Sequence, residues 1–168
     1  MDTRKGKILV FIVAYEAQDF IIEVFDRIKA QVRPDHYYEI LMIDDSSKDR
    51  TYEIAQEYAA SHPELNITNL YNPINQGYGG NQQIGYQYAI DNHFDVVILL
   101  HGDGQYPPES LNDMADPILN GEYDVMLGSR MIIKKDALAG GMPLYKFIGN
   151  QILTVFENWL LGQNLHEY

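Results

Sequence analysis

Val96-Val97-Ile98-Leu99-Leu100-His101-Gly102-Asp103-Gly104-Gln105-Tyr106-Pro107-Pro108-Glu109 decides how the rest of this chain is read. Its five leading apolar residues fit a strand covered on both faces, as in a parallel sheet. The strand runs into a polar loop in which His101, Asp103 and Gln105 take alternate positions, so their side chains can converge. Imidazole and oxygen donors suit a divalent cation, and the glycines let the backbone approach a ligand closely. Pro107-Pro108 followed by Glu109 begins a helix with fixed φ angles and an acidic first turn. Two readings stand at this point: a metal or anion site, and a plain strand-to-helix turn with incidental polar residues.

Outward from this stretch the chain alternates. Ile8 to Val13 reads as a buried first strand, left through Ala14-Tyr15-Glu16. Phe20, Ile21, Val24, Phe25 and Ile28 then mark one face of a helix that starts at Asp19 and ends before Pro34. Tyr38 to Ile43 is the second strand. It enters Asp44-Asp45-Ser46-Ser47-Lys48-Asp49-Arg50-Thr51, where Ser47 or Asp49 caps a helix carrying Ile54, Ala55, Tyr58 and Ala59. Ile67 to Tyr71 is a short third strand, followed by Asn75-Gln76-Gly77-Tyr78-Gly79-Gly80-Asn81 and a helix with Ile84, Tyr88 and Ala89 inward. Beyond the opening stretch, a helix from Glu109 to Leu119 buries Leu111, Met114, Ala115, Ile118 and Leu119. A strand at Val125 to Leu127 leads to Gly128-Ser129-Arg130, a loop over Lys134 to Met142 and a last apolar-rich helix over Leu144 to Leu161. His36, His62 and His93, near turns or helix ends, read as solvated residues.

This order predicts an α/β, Rossmann-like, mostly parallel sheet with helices on both faces. Ligands of such sheets bind at the carboxyl ends of the strands. Tyr15, Asp44, Asp45, His101, Asp103, Gln105 and Arg130 are thereby expected on one rim. Carboxylates from separate strand ends repel each other unless a cation or a proton intervenes, and a divalent metal bridging a diphosphate is the simplest compensation. Asp103 and Gln105 are the expected protein ligands. Asp45 is read two ways, as an acceptor for the N–H groups of a base or ribose hydroxyls and as a helix cap. Gly77, Gly79 and Gly80 open a helix and are read either as a phosphate cradle without the P-loop spacing or as glycines for close packing. Arg130 is a bidentate phosphate partner or a surface arginine paired with an acid.

Composition sets the outer limits. The 168 residues predict a single domain with a real core. A net charge of -12 excludes a nonspecific nucleic-acid binder. The absence of cysteine excludes disulfides, thiolate metal sites and a cysteine nucleophile. The polar start carries no signal-peptide pattern and no stretch reaches transmembrane length, so the expectation is a soluble chain, cytoplasmic or at the cytoplasmic face of a membrane. Leu144 to Leu161 is expected either to pack on the sheet or to rest on a membrane surface. Oligomeric state is not legible.

Four segments together resemble the family 2 glycosyltransferases of GT-A fold, most closely the polyprenyl-phosphate sugar transferases typified by dolichol-phosphate mannose synthase. They are Ile12-Val13-Ala14-Tyr15, the Asp44 to Thr51 run, His101 to Glu109 and Gly128-Ser129-Arg130. Their order covers nearly the whole chain. The resemblance implies a metal-dependent, inverting transfer of a sugar from a GDP- or UDP-linked donor to a lipid-phosphate or glycan acceptor. It implies that Val13, Ala14, Tyr15, Glu16, Asp44, Asp45, Gly77, His101, Gly102 and Asp103 form the nucleotide-sugar side. Asp103 and Gln105 would hold Mg or Mn, and Asp103, Arg130 and Glu167 would serve catalysis.

Three departures from the family pattern are visible. His101-Gly102-Asp103 replaces Asp-x-Asp, Tyr15-Glu16-Ala17 replaces Tyr-Asn-Glu, and the chain stops at Glu167-Tyr168 where the family continues into an acceptor segment. The expectation is a domain truncated on its acceptor side. A nucleotide-sugar-binding domain without turnover is the alternative. A receiver-like phosphoryl acceptor ranks third, because Gly128-Ser129-Arg130 stands where such a domain needs a lysine.

Overall fold

The structure is a computed structural model, and it describes residues 6–128 and 143–162. It divides into two compact units, Met1–Val125 and Met126–Tyr168. In the first, four parallel strands lie in the order β3-β2-β1-β4, namely β1 (Lys7–Ala14), β2 (Tyr37–Asp44), β3 (Ile67–Tyr71) and β4 (Val96–His101). The apolar runs became strands because both faces of the sheet are covered. Ile8, Val10, Ile12, Ile40, Met42 and Ile98 turn to one face, beneath α1 (Ile21–Lys29), α2 (Thr51–Ser61) and α4 (Leu111–Leu119). Leu9, Phe11, Val13, Leu41 and Ile43 turn to the other, beneath α3 (Gly77–Asp91). The expected α/β sheet with helices on both faces is present.

The chain therefore changes face once. α1 and α2 step outward from β1 to β2 to β3, whereas α3 crosses the opposite face and delivers β4 to the free side of β1. Between β1 and β4 successive connections leave in opposite directions, the switch point at which such sheets open a crevice. Register sharpens this, since Val13 lies beside His101 and Ala14 beside Asp44.

Several expectations need correction. Val125 to Leu127 is not a strand; Val125 and Leu127 are 69% and 80% exposed, and no strand among the described residues pairs with them. Phe20 precedes α1 and is exposed, so the inward face of that helix begins at Ile21. Ile84 faces solvent, and α3 instead turns Asn81, Gly85 and Ala89 inward. A Cβ at Gly85 would lie 2.2 Å from the ring of the fully buried Phe11. Close packing of this helix thus falls on Gly85, while Gly77 and Gly79 have open space around them. His36 is buried rather than solvated, edge-on to Tyr38. A single 3₁₀ turn, Pro108–Ser110, precedes α4.

The second unit contains α5 (Leu144–Leu161). It begins after Pro143 and ends at Gly162, whose φ of 62° gives the left-handed stop that glycine supplies most readily. No helix among the described residues is long and apolar enough to cross a membrane.

Candidate functional site

A cavity of about 740 Å³ opens at the carboxyl ends of β1, β2 and β4, lined by Val13, Tyr15, Asp45, Ser46, Lys48, Asn75, Gly77, Tyr78, His101, Gly102 and Asp103. Each wall is held by short local hydrogen bonds. The loop after β1 is stitched to the one after β2: Glu16 N–H donates to Ser47 Oγ (2.9 Å), Ala17 N–H to Thr51 Oγ1 (2.8 Å) and Gln18 N–H to Asp49 Oδ2 (3.2 Å). Ser47 is thus not the helix cap, because its hydroxyl serves the neighbouring loop. Asp49 Oδ1 accepts from Thr51 N–H (3.0 Å) and Oγ1–H (2.6 Å), steadying the start of α2 at Thr51.

The paired acids after β2 separate by depth. Asp44 is fully buried beneath the cavity, where Oδ1 accepts from Ser47 N–H at 2.7 Å and Oδ2 has no partner. Burial pushes its carboxyl above the ordinary range, with the Ser47 bonds opposing. Asp45 lines the cavity although only 3% exposed. Its Oδ1 accepts from Asn72 Nδ2 and from Gln76 N–H, both at 2.8 Å, and its carbonyl accepts from Asn75 Nδ2 at 2.8 Å. One carboxylate supports the loop and the other faces the ligand space.

The β4 side is built on a tight turn. Gly102 N–H donates to Val13 O at 2.9 Å, and a Cβ on Gly102 would lie 3.1 Å from the Ala17 Cβ and 3.2 Å from the Ala14 Cβ. The loops after β1 and β4 can meet so closely because position 102 has no side chain. Asp103 Oδ1 accepts from Gln105 N–H at 3.1 Å across Gly104, whose φ is 71°. Arg27 of α1 donates to Gly104 O at 3.2 Å and clamps Glu109 through Nε and Nη2, both 2.8 Å. Arg27 therefore fixes the Asp103 loop from beneath.

His101 sits between two tyrosines. Its Nε2 lies 3.0 Å from the Tyr78 hydroxyl, and its ring meets those of Tyr78 and Tyr106 edge-on at 5.1 and 4.4 Å. Burial lowers its pKa, Asp103 opposing, so the imidazole is neutral near pH 7. At the opposite side Tyr15 is half exposed, and the Glu16 carboxylate raises its phenol pKa.

Of the residues expected on the rim, Val13, Tyr15, Asp45, Gly77, His101, Gly102 and Asp103 line this cavity. Ala14 and Asp44 lie buried below it, and Glu16 and Gln105 are exposed outside its lining. Arg130, Glu167 and the loop over Lys134 to Met142 lie outside the described residues. Sequence reasoning assigned no role to Lys48, Asn72, Asn75, Tyr78 or Arg27. Asn72 and Asn75, flanking Pro73 just after a strand, carry the one signal that was available, since asparagines at such turns bond neighbouring backbone.

Metal-holding capacity follows from the donor set. Among the described residues no group of three His, Cys, Asp or Glu side chains is placed to hold a metal ion. In the β4 loop, Asp103 is the carboxylate that lines the cavity, with neutral His101 two positions away. One carboxylate fits a hard divalent cation that takes its remaining ligands from water and phosphate, as Mg and Mn do at nucleotide sites. It does not fit a cage made by protein alone.

Residues 9–161 match the family model described as glycosyl transferase family 2. The chain belongs to this family. It is 31% identical over 165 residues to a UDP-N-acetylglucosamine–dolichyl-phosphate N-acetylglucosaminyltransferase of Methanococcus voltae, covering 92% of this chain and 63% of that protein. It is 30% identical over 140 residues to a dolichol-phosphate mannosyltransferase of Pyrococcus furiosus, covering 83% of this chain and 37% of that one. This family 2 chain thus spans between roughly a third and two thirds of the length of these relatives. Its fold is similar to that of the mannosyltransferase PcManGT from Pyrobaculum calidifontis in complex with GDP-Man and Mn2+, with a TM-score of 0.56 and 22% identity over 65% of this chain and 31% of that one. The fold of the family 2 chain is GT-A.

Proposed function

We propose that this chain is the donor-binding part of a metal-dependent, inverting glycosyltransferase that moves a sugar from a nucleotide-diphosphate donor to a polyprenyl-type lipid phosphate. One observation carries the reading: a single cavity at the switch point presents an acceptor for a base, Asp45, and a metal-type carboxylate, Asp103, on opposite strand loops. Tyr15 and Asp45 take the nucleoside, and Lys48 supplies positive charge in a strongly acidic chain. Asp103 would hold Mg or Mn together with the diphosphate, with Gln105 beside it. A bound ion would supply Lewis-acid neutralisation of the charge on the nucleotide leaving group. Tyr78 and His101 hold each other and shape the wall between base and metal positions.

A lipid phosphate is already anionic, so it needs little general-base help, and positioning carries most of the rate. Arg130 and Glu167 are assigned to the acceptor side on the family resemblance. Contact with a membrane surface is assigned to α5, whose Phe156, Trp159 and Leu160 are exposed. Both sequenced relatives named above have lipid-phosphate transferase names, and the similar structure holds a nucleotide sugar with Mn2+; these support the reading.

Calorimetry of the chain against UDP and GDP with Mn2+ tests it. We expect saturable binding that falls at least about tenfold with EDTA or in Asp103→Ala; no binding of either nucleotide overturns the reading. A second reading, nucleotide-sugar binding without turnover, is favoured by the neutral His101 where the family carries an acid. Sugar transfer that is lost in Asp103→Ala decides against it.

A further inference from the structure

We infer that Asn72, acting with the Gln76 N–H, sets the base specificity of this site and selects uracil. The inference rests on the donor-site reading above and concerns which nucleotide the site takes. A carboxylate has two oxygens, and facing a base it can offer both or one. At Asp45 the choice is already made. Oδ1 accepts from Asn72 Nδ2 and Gln76 N–H, each at 2.8 Å, so both its lone pairs are spent inside the protein. The described hydrogen bonds of the Asp45 side chain both fall on Oδ1, and Asp45 lines the cavity, which leaves Oδ2 for a ligand. Toward the base, Asp45 presents a single anionic acceptor.

Asn72 is itself fixed for this task. It is 8% exposed, and its own N–H donates to Asp44 O at 2.9 Å, which pins the end of β3 beside the end of β2. Asn75, the neighbouring amide, is engaged on both sides: Nδ2 donates to Asp45 O, and Oδ1 accepts from Gly77 N–H at 2.9 Å.

Each base edge meets this arrangement differently. Uracil presents one donor, N3–H, between two carbonyl oxygens, and a single acceptor satisfies it. Guanine presents two adjacent donors, N1–H and N2–H₂, which call for both oxygens of a carboxylate. Cytosine turns the N3 lone pair toward Oδ2 and is repelled. UDP and CDP share ribose and diphosphate, so their difference isolates the edge that Asp45 reads, whereas the change in the margin of UDP over GDP when Oδ1 is released reads the occupation of that oxygen.

The test is calorimetry of the whole chain with Mn2+ against UDP, CDP and GDP. We expect UDP to bind at least about tenfold tighter than either. In Asp45→Asn the side-chain oxygen still accepts from Asn72 and Gln76, which turns the amide NH₂ toward the base. UDP then weakens by about tenfold or more, and CDP, whose N3 accepts from that amide, becomes the preferred pyrimidine. In Asn72→Ala one lone pair of Oδ1 is released, so the margin of UDP over GDP shrinks while that over CDP stays.

Thermal melts confirm that each variant is folded. Equal affinities for the three nucleotides, tighter binding of GDP, or an equal loss for all three in Asp45→Asn overturns the inference while leaving the donor-site reading in place. Absence of binding by every nucleotide overturns the donor-site reading and the inference with it.

Discussion

Glu16 shows how much of this site is decided by backbone geometry at single residues. It has a φ of 48°, in the left-handed region that non-glycine residues enter at a cost, and Ser46 directly across the loop interface has a φ of 66°. The family pattern carries asparagine at the position of Glu16, a residue that tolerates this conformation better than glutamate. Glu16→Asn is therefore expected to stabilise the fold by about 1 kcal/mol, read as a higher urea midpoint at unchanged m-value. An unchanged or lower midpoint contradicts it. The departure at Tyr15-Glu16 that sequence reading noticed is thus a departure in backbone cost, since the Glu16 side chain lies outside the cavity lining.

Between elements, the contact that matters most for the site is the one from α1 to the start of α4. Arg27 holds Glu109 in a bidentate pair and the Asp103 loop through Gly104 O. The Arg27 guanidinium holds the Glu109 carboxyl down at about 2, against an ordinary value of 4.5. Because the folded value is depressed, this pair stabilises fully above pH 4.5 and the contribution is lost as pH falls toward 2. The Glu109 side chain is 52% exposed, so solvent screening keeps the effect below about 1 kcal/mol. Glu109→Gln should be slightly less stable than wild type at pH 7 and converge with it as pH approaches 2. Denaturant titrations across that range check it; a constant gap would show that charge is not the cause.

Elements also mark where the sequence was legible. The four strands were readable because buried parallel strands are written as unbroken apolar runs. Val125 to Leu127 is apolar too but has no strand partner among the described residues, and three residues cannot reveal whether a partner exists. The inward face of α3 was misread because it is set by a glycine that accommodates the Phe11 ring, not by a run of large apolar residues. At the site, strand ends announced Asp45 and Asp103. Asn72, Arg27 and Tyr78 did not stand out, since their partners lie 27, 82 and 23 residues away.

On the scale of the whole molecule, the net charge of -12 makes anion binding a local achievement. Lys48 lines the cavity, and a cation brought in with the ligand would supply the rest. Nucleotide and Mn2+ should therefore stabilise the fold jointly: at a hundred times its Kd, UDP with Mn2+ is expected to add about 2.7 kcal/mol to unfolding. In Asp103→Ala the increment due to Mn2+ should vanish. Urea unfolding with UDP alone, Mn2+ alone and both together measures this, and additive single effects without synergy would refute it.

The single change of face between β3 and β4 has a consequence for how such a protein diversifies. The two clusters that form the core lie within the sheet and its helices, while the segment joining β3 to α3, with the first turn of that helix, contributes Asn72, Asn75, Gly77 and Tyr78 to the site or its support. If the proposed base contacts hold, that stretch would act as an interchangeable cassette, its residues rewritten to read another base above layers that owe their packing to other residues. A lineage could then change its donor by exchanging six or seven residues, with inheritance of the scaffold intact.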